Sequence, residues 1–218
     1  YSNILNQDME MKTYGHGGQP VLFIPCQDGR FFDFENFKMV DTYAPFIEAG
    51  QCTVFAIDTI DLWTWSDKAG DPGHRSYLYE QWIQYIVQEV VPFICAFSAE
   101  NGWDAEESGI MVYGASMGAT HSVNLYFRFP HIFRKMLAIS GIYTADFGWD
   151  GYMDERLYYN SPSHYLANLP ADHPYMAEYH RNHGIMVTGR GAWEMPEYTD
   201  DIKAKTEAIG IPVQYEYW

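Results

Sequence analysis

The sequence predicts one α/β domain spanning residues 1–218, in which a mostly parallel central sheet is flanked by helices. The 218 residues are 47% hydrophobic, which suffices for one core and suits a single domain. Short apolar runs rich in β-branched and aromatic residues alternate with segments of helical period, a pattern typical of βαβ units. The predicted buried strands comprise residues 21–24, 53–57, 109–113, 135–139, 184–188 and 212–217.

The remaining regular elements follow from local periodicity. Met9, Met11 and Thr13 alternate with polar residues, and this predicts an antiparallel edge strand that ends at the glycine-rich turn 15–18. Elsewhere apolar residues recur at spacings of three and four, which predicts helices, and Pro92 is expected to kink the second of them. These helices comprise residues 35–49, 76–97, 117–129 and 198–209.

Residues 142–182 break the alternation with an aromatic and polar stretch that has no strand pattern. Because a structureless loop of this length is uncommon in a compact domain, we interpret the segment as an inserted cap of short helices and turns. Some of its aromatic residues would line a substrate pocket, where such walls suit a sugar ring or an aryl ester. Packing within the cap explains them equally well.

The charge balance excludes several classes of partner. The chain has 13 Lys and Arg against 29 Asp and Glu, a net charge of −16, whereas phosphate binding requires clustered cations. Nucleic acid and anionic membrane surfaces are therefore not expected as partners. The sequence has no run of eighteen consecutive apolar residues, so no membrane span is predicted. Cys26, Cys52 and Cys95 form no close-spaced pair, so we expect free thiols and no metal site, in a cytoplasmic protein or, as the alternative, a mature secreted one. No cofactor is expected.

The most specific feature is Gly114-Ala115-Ser116-Met117-Gly118, which directly follows a predicted strand and directly precedes a predicted helix. A G-x-S-x-G in this context is typical of a nucleophile elbow, whose tight turn accepts only small residues two positions either side of the serine. The start of the helix offers free N–H groups to a developing oxyanion. Ser116 is thus the candidate nucleophile and the Met117 amide a candidate oxyanion donor. A glycine-rich turn with an incidental serine is the alternative.

At this motif the chain resembles the α/β-hydrolase superfamily, and within it the esterase group that includes esterase D-like carboxylesterases and mycolyltransferase-like acyltransferases. The resemblance covers most of the chain and implies an α/β-hydrolase fold and a serine esterase. Besides the elbow, it rests on the segments 21–25, 28–32, 130–133, 140–141, 160–162 and 189–194.

The resemblance also assigns further site residues. In this fold the second oxyanion donor follows the first parallel strand, which makes the backbone N–H of Arg30 our prediction and that of Gln27 the nearer alternative. The triad acid follows the strand 184–188, and Glu194 is the first carboxylate after it. Its competitors are Glu197, Asp200 and Asp201.

The histidine departs from the pattern of the resemblance. Triad residues in this fold follow the order Ser, acid, His, yet all eight histidines, of which His183 is the last, precede Glu194. We expect the base in the loop after the strand 212–217, so that a C-terminal loop and helix are missing from this sequence. One alternative is a catalytically inactive relative that acts as a binding module. Another is a base recruited from the cap, among His164, His173, His180 and His183.

Taken together, these features predict a serine carboxylesterase that hydrolyses a small-molecule ester, an aryl or sugar ester being the candidate, through an acyl-enzyme on Ser116. An acyltransferase of the same fold is the alternative, because the sequence does not reveal whether water or an alcohol accepts the acyl group. A histidine within about ten residues after Trp218 would favour the enzyme over the binding module. For the 218 residues alone we expect little or no ester turnover.

Overall fold

The sheet of this computed structural model, which describes residues 1–218, has seven strands. They are β1 (Met11–Tyr14), β2 (Gln19–Ile24), β3 (Cys52–Ile57), β4 (Ile110–Ala115), β5 (Phe133–Ile139), β6 (His183–Thr188) and β7 (Val213–Tyr217). Their order across the sheet is β1-β3-β2-β4-β5-β6-β7. Only β1 pairs antiparallel with its neighbour, β3, and the other pairs are parallel. The carboxyl ends of six strands therefore share one edge, the edge at which open α/β sheets bind ligands.

Helices cover both faces of the sheet, and a π-helical turn at Ile86–Val90 joins two of them into one long rod. The α-helices are α1 (Asp33–Asn36), α2 (Met39–Glu48), α3 (Pro72–Tyr85), α4 (Val91–Glu100), α5 (Ala105–Ser108), α6 (Met117–Arg128), α7 (Asp146–Trp149), α8 (Glu155–Tyr159), α9 (Pro162–Leu166), α10 (Met176–Tyr179) and α11 (Pro196–Ile209).

The predicted strands are all present, each within two residues of its expected bounds. Two predicted helices differ from the observed ones. The helix expected over 35–49 is divided into α1 and α2 at Lys38, whose φ of +56° is left-handed and ends a right-handed helix. The helix expected over 76–97 continues from α3 to α4, and the π-helical turn lies just before Pro92. Because proline has no N–H to donate, the hydrogen-bond ladder is displaced there.

The long helix Pro72–Glu100 is apolar enough, by length and composition, to cross a membrane. In the structure it packs along the sheet, and 44% of its most apolar window is buried. Its inward-facing side chains, among them Trp82, Ile83 and Ile86, belong to the largest core cluster. We therefore interpret it as a core helix of the domain.

The sheet buries a separate core on each face, because successive side chains of a strand point to opposite sides. On β2, Leu22 and Ile24 belong to the larger core of 34 buried residues, which includes side chains of α3, α4 and α6. Val21 and Phe23 belong to a core of 7 buried residues with Phe34 of α1. The elbow helix α6 packs on β4 and β5. This packing fixes the start of α6 at the carboxyl edge of the sheet.

The predicted cap contains the four short helices α7 to α10 and no strand. Most of it lies at the side of the domain, where α8 contacts α3 and α9 contacts α6 and α11. A half-buried network ties it there: Glu80 Oε2 accepts from Arg128 Nη1 at 2.9 Å and from Asn160 Nδ2 at 2.6 Å. The network therefore holds the later part of the segment against α3 and α6.

Candidate active site

The turn between β4 and α6 holds Ser116 in a strained conformation, with φ of +54° and ψ of −123°. A left-handed φ at a non-glycine residue is uncommon and persists only where the surroundings enforce it. Here the surroundings are close backbone contacts. A Cβ on Gly114 would lie 2.4 Å from the carbonyl carbon of Gly118, and one on Gly118 would lie 2.2 Å from the carbonyl oxygen of Ile24. Both glycines of the motif are therefore required for steric reasons.

The Ser116 side chain is exposed, and its hydroxyl forms no hydrogen bond within the protein. Its backbone N–H donates to Ile139 O at 2.8 Å, which anchors the turn to β5. Met117 is the first residue of α6, so its amide has no partner within the helix, and it makes no other hydrogen bond. This amide is free to donate to an anion near Ser116 Oγ.

The loop after β2 holds the two candidates for the second oxyanion donor. The Arg30 amide donates to Asp33 Oδ2 at 3.1 Å, and the Arg30 guanidinium donates through Nε to Asp58 Oδ1 at 2.9 Å. Arg30 does not line the cavity at Ser116, whereas Gln27 does. The backbone N–H of Gln27 forms no hydrogen bond. The structure therefore argues against the predicted Arg30 amide and favours the Gln27 alternative.

The Gln27 loop is held in a defined shape. It begins with a turn in which the Gly29 N–H donates to Cys26 O at 2.9 Å and Asp28 adopts a φ of +60°. Ser66 braces the loop from outside, since its Oγ accepts from Gln27 Nε2 at 2.6 Å and donates to Asp28 Oδ1 at 2.7 Å. These bonds orient the loop and leave the backbone N–H of Gln27 without a partner.

Glu194 lies in the loop after β6 and lines the same cavity as Ser116. Its side chain is half-buried, forms no hydrogen bond or ion pair, and packs on Gly189, where an added Cβ would lie 2.8 Å from Glu194 Cγ. Burial raises the pKa of Tyr143, and the negative charge of Glu194 contributes to the same shift. The carboxylate is thus unpaired and lines the cavity that Ser116 also lines.

The competing carboxylates are placed elsewhere. Glu197 lies exposed in the first turn of α11, and Asp200 accepts from Tyr217 Oη at 2.5 Å. Asp201 accepts from Ser163 Oγ at 2.7 Å and pairs with Lys205. None of the three lines the cavity at Ser116.

This cavity has a volume of about 320 Å³ and an aromatic mouth. Trp193 is 98% exposed, and Phe147 and Met195 are exposed beside it. Of the cap, only the start contributes, through Ile142 and Phe147. Of the cap aromatic residues expected to contribute to a substrate pocket, Phe147 lines this cavity, whereas no tyrosine of α8, α9 or α10 does.

Comparison with known proteins gives the family. Residues 2–200 match the family model described as "Putative esterase". The chain belongs to this esterase family. No curated protein sequence matches the chain.

Solved structures confirm the α/β-hydrolase fold of this family member. It is similar to a ferulic acid esterase at a TM-score of 0.72 and 14% identity, over 99% of this chain and 86% of the other. An S-formylglutathione hydrolase (FrmB) from Staphylococcus aureus aligns with a TM-score of 0.69 and 12% identity, over 99% of this chain and 84% of the other. An S-formylglutathione hydrolase from Agrobacterium tumefaciens aligns with a TM-score of 0.70 and 13% identity, over 100% of this chain and 83% of the other. At such identities the likeness concerns the fold.

No histidine of this esterase lines the cavity at Ser116. His121, on the elbow helix, is fully buried, with its Nδ1 2.8 Å from Tyr79 Oη and its Nε2 3.0 Å from Asp61 Oδ1. His164 Nδ1 is hydrogen-bonded to Ser161 Oγ, just before α9, at 2.7 Å. His183 begins β6, at the opposite end of that strand from Glu194.

The end of β7 adjoins the loop that bears Glu194. The Trp218 N–H donates to Thr188 O at 3.0 Å, and the Arg190 N–H donates to Trp218 O at 2.8 Å. Trp218 therefore lies at the carboxyl edge of the sheet, beside the loop that bears Glu194.

Sequence reasoning missed Trp193 as a cavity residue, since a lone tryptophan in a loop carries no periodic signal.

Proposed function

We propose that this protein is a serine esterase that hydrolyses a carboxylic ester through an acyl-enzyme on Ser116. The observation that carries the proposal is the exposed Ser116 hydroxyl on a strained turn, in a cavity with unpartnered amides and a carboxylate. Oγ attacks the ester carbonyl, and the alcohol leaves with a proton as the acyl-enzyme forms. Water then attacks the acyl group, which releases the acid and restores the serine.

The oxyanion in this proposal is stabilised by the amides of Met117 and Gln27. Both residues line the cavity, and neither backbone N–H forms a hydrogen bond within the protein. Met117 also lies at the positive end of the α6 dipole, which favours negative charge. Loss of one such donor typically costs about 10²–10³ in kcat.

Glu194 is the triad acid in this proposal. A carboxylate without a partner, at the edge of the cavity, can orient an imidazole and stabilise its charged form. The base in this proposal is a histidine at the carboxyl edge of the sheet, in contact with both Glu194 and Ser116. This is the position that the order Ser, acid, His gives to the base.

The substrate in this proposal is an ester with an aromatic or sugar group next to the scissile bond. Trp193 and Phe147 are exposed at the mouth of a cavity of about 320 Å³, and flat rings suit both groups. The net charge of −16 disfavours anionic esters at long range.

The test is hydrolysis of p-nitrophenyl acetate with imidazole supplied in solution as the base, since no histidine reaches the cavity. We expect an imidazole-dependent rate above the solution background, abolished in Ser116→Ala and retained in Ser140→Ala. Ser140 is a matched control because it lines the same cavity and also has a left-handed φ. A rate equal to the background, or one that persists in Ser116→Ala, would overturn the proposal.

A further inference from the structure

A second cavity, of about 460 Å³, lies at the side of the domain. This aromatic cleft is formed by the end of α6, by α8, α9 and α10, and by the loop between α9 and α10. Because α6 has twelve residues, this aromatic cleft is about 18 Å along the helix from Ser116. It is therefore separate from the candidate active site, and its volume is within the range of about 300–1,000 Å³ that small-molecule sites occupy.

Aromatic rings dominate the walls of the aromatic cleft. Five tyrosines and two phenylalanines line it, and Tyr159, at its rim, is 51% exposed. Tyr158 lies edge-on to Tyr159 with ring centroids 5.2 Å apart, and His173 lies edge-on to Tyr175 at 4.9 Å. The edge-on packing fixes the angles between these rings, and the exposure of Tyr159 leaves ring surface accessible to a ligand.

Hydrogen-bonding groups without a protein partner lie among these rings. The hydroxyls of Tyr159 and Tyr175 form no hydrogen bond within the protein. His173 Nδ1 accepts from the Tyr175 amide at 3.1 Å, which leaves Nε2 as a free donor. Asn168 donates through Nδ2 to Tyr158 Oη at 2.9 Å, and its Oδ1 is a free acceptor. The cleft thus offers both donors and acceptors beside apolar ring faces.

The aromatic cleft carries no unpaired charge. Its one formally charged residue is Arg128, whose guanidinium pairs with Glu80 at 2.9 Å and lies 5.1 Å from the ring centroid of Phe129. The salt bridge neutralises the cation, and the net charge of −16 repels anions from the whole surface. These features favour a neutral ligand.

We propose that the aromatic cleft binds a neutral carbohydrate. A pyranose ring presents axial C–H groups on its faces and hydroxyls around its edge. The C–H faces pack on aromatic rings such as Tyr159, and the edge hydroxyls pair with Tyr175 Oη, His173 Nε2 and Asn168 Oδ1. A purely aromatic ligand would use the rings and leave these polar groups to water, so the combination points to a sugar.

The experiment is calorimetric titration with cellotetraose, xylotetraose and maltotetraose as probes. We expect at least one to bind, with affinity at least fivefold weaker in Tyr159→Ala and in Asn168→Ala. Tyr77→Ala is the matched control, because Tyr77 is 44% exposed and lies outside the cleft; its affinity should equal that of the unmodified chain. Ser116→Ala should also bind normally, which separates this inference from the esterase proposal.

Two results would overturn the inference. One is the absence of heat and of tyrosine ring shifts by NMR with all three tetrasaccharides at millimolar concentration. The other is binding that Tyr159→Ala and Asn168→Ala leave unchanged, since the sugar would then occupy another site. Tyr159→Phe guards against a folding artefact, because it keeps the ring and removes only the hydroxyl, and its affinity should lie between those of the unmodified chain and Tyr159→Ala.

Discussion

Gly118→Ala tests the elbow geometry without reference to activity. The added Cβ would lie 2.2 Å from Ile24 O and 2.6 Å from Pro25 O. Ordinary van der Waals contact begins near 3.4 Å, so α6 and β2 would have to separate by roughly 1.2 Å. Overpacking of this kind costs about 3 kcal/mol where backbone must move, while the gain in helix propensity offsets about 1 kcal/mol. The net expectation is a loss of about 2 kcal/mol, or a fall in Tm of about 4–8 °C for a domain of this size.

The assay is thermal unfolding followed by circular dichroism. Gly191→Ala is the matched control, because nothing lies within 4 Å of its added Cβ and its φ is not left-handed. We expect Gly191→Ala to unfold within about 1 °C of the unmodified chain. A Tm for Gly118→Ala equal to or above that of the unmodified chain would refute the reasoning, since helix propensity would then outweigh the clash.

Three further predictions follow from other contacts. Glu194→Gln should lower the imidazole-dependent esterase rate at least tenfold and leave the Tm unchanged, because the carboxylate has no structural partner; a full rate would exclude it as the acid. Asp61→Ala should lower the free energy of unfolding by about 1–3 kcal/mol in urea titrations, because His121 is fully buried and loses its partner; an unchanged midpoint would contradict this. Burial acts to raise the pKa of Glu80, but the hydrogen bond and charge of Arg128, together with hydrogen bonds from Gln84 and Asn160, outweigh it and hold the pKa below its usual range. A lowered folded pKa stabilises the protein above the unfolded value and loses that stability as pH falls, so Glu80→Gln should lose less stability than the unmodified chain between about pH 5 and pH 3; parallel pH profiles would contradict the assignment.

The strands and the elbow could be predicted from the sequence because their signals are local. Buried parallel strands are short runs of apolar and β-branched residues, as 53–57 is. Such a run is too short to form a helix. The elbow requires Gly114 and Gly118 for contacts within and next to the turn itself. Such requirements fix residue types at fixed spacings, which is why the motif and its strand–helix context predict Ser116 as the nucleophile.

Features that depend on contacts across the chain could not be predicted in the same way. Whether Arg30 or Gln27 presents a free amide depends on Asp33, whose carboxylate accepts the Arg30 N–H. The placement of the cap depends on Glu80 and Arg128, which bind it at the side of the domain. A periodic pattern reveals that a segment is apolar or helical, but it does not reveal which neighbour that segment packs against.

The most direct test of the central claim is intact-mass analysis of the protein after reaction with a fluorophosphonate, with imidazole in solution. Peptide mapping then locates the added mass. We expect a single adduct on Ser116, because its Oγ is the exposed hydroxyl beside the free amides of the cavity. Ser116→Ala should remain unlabelled, and Ser140→Ala should be labelled normally. An absent adduct, or one that maps to another residue, would contradict the assignment of Ser116 as the nucleophile.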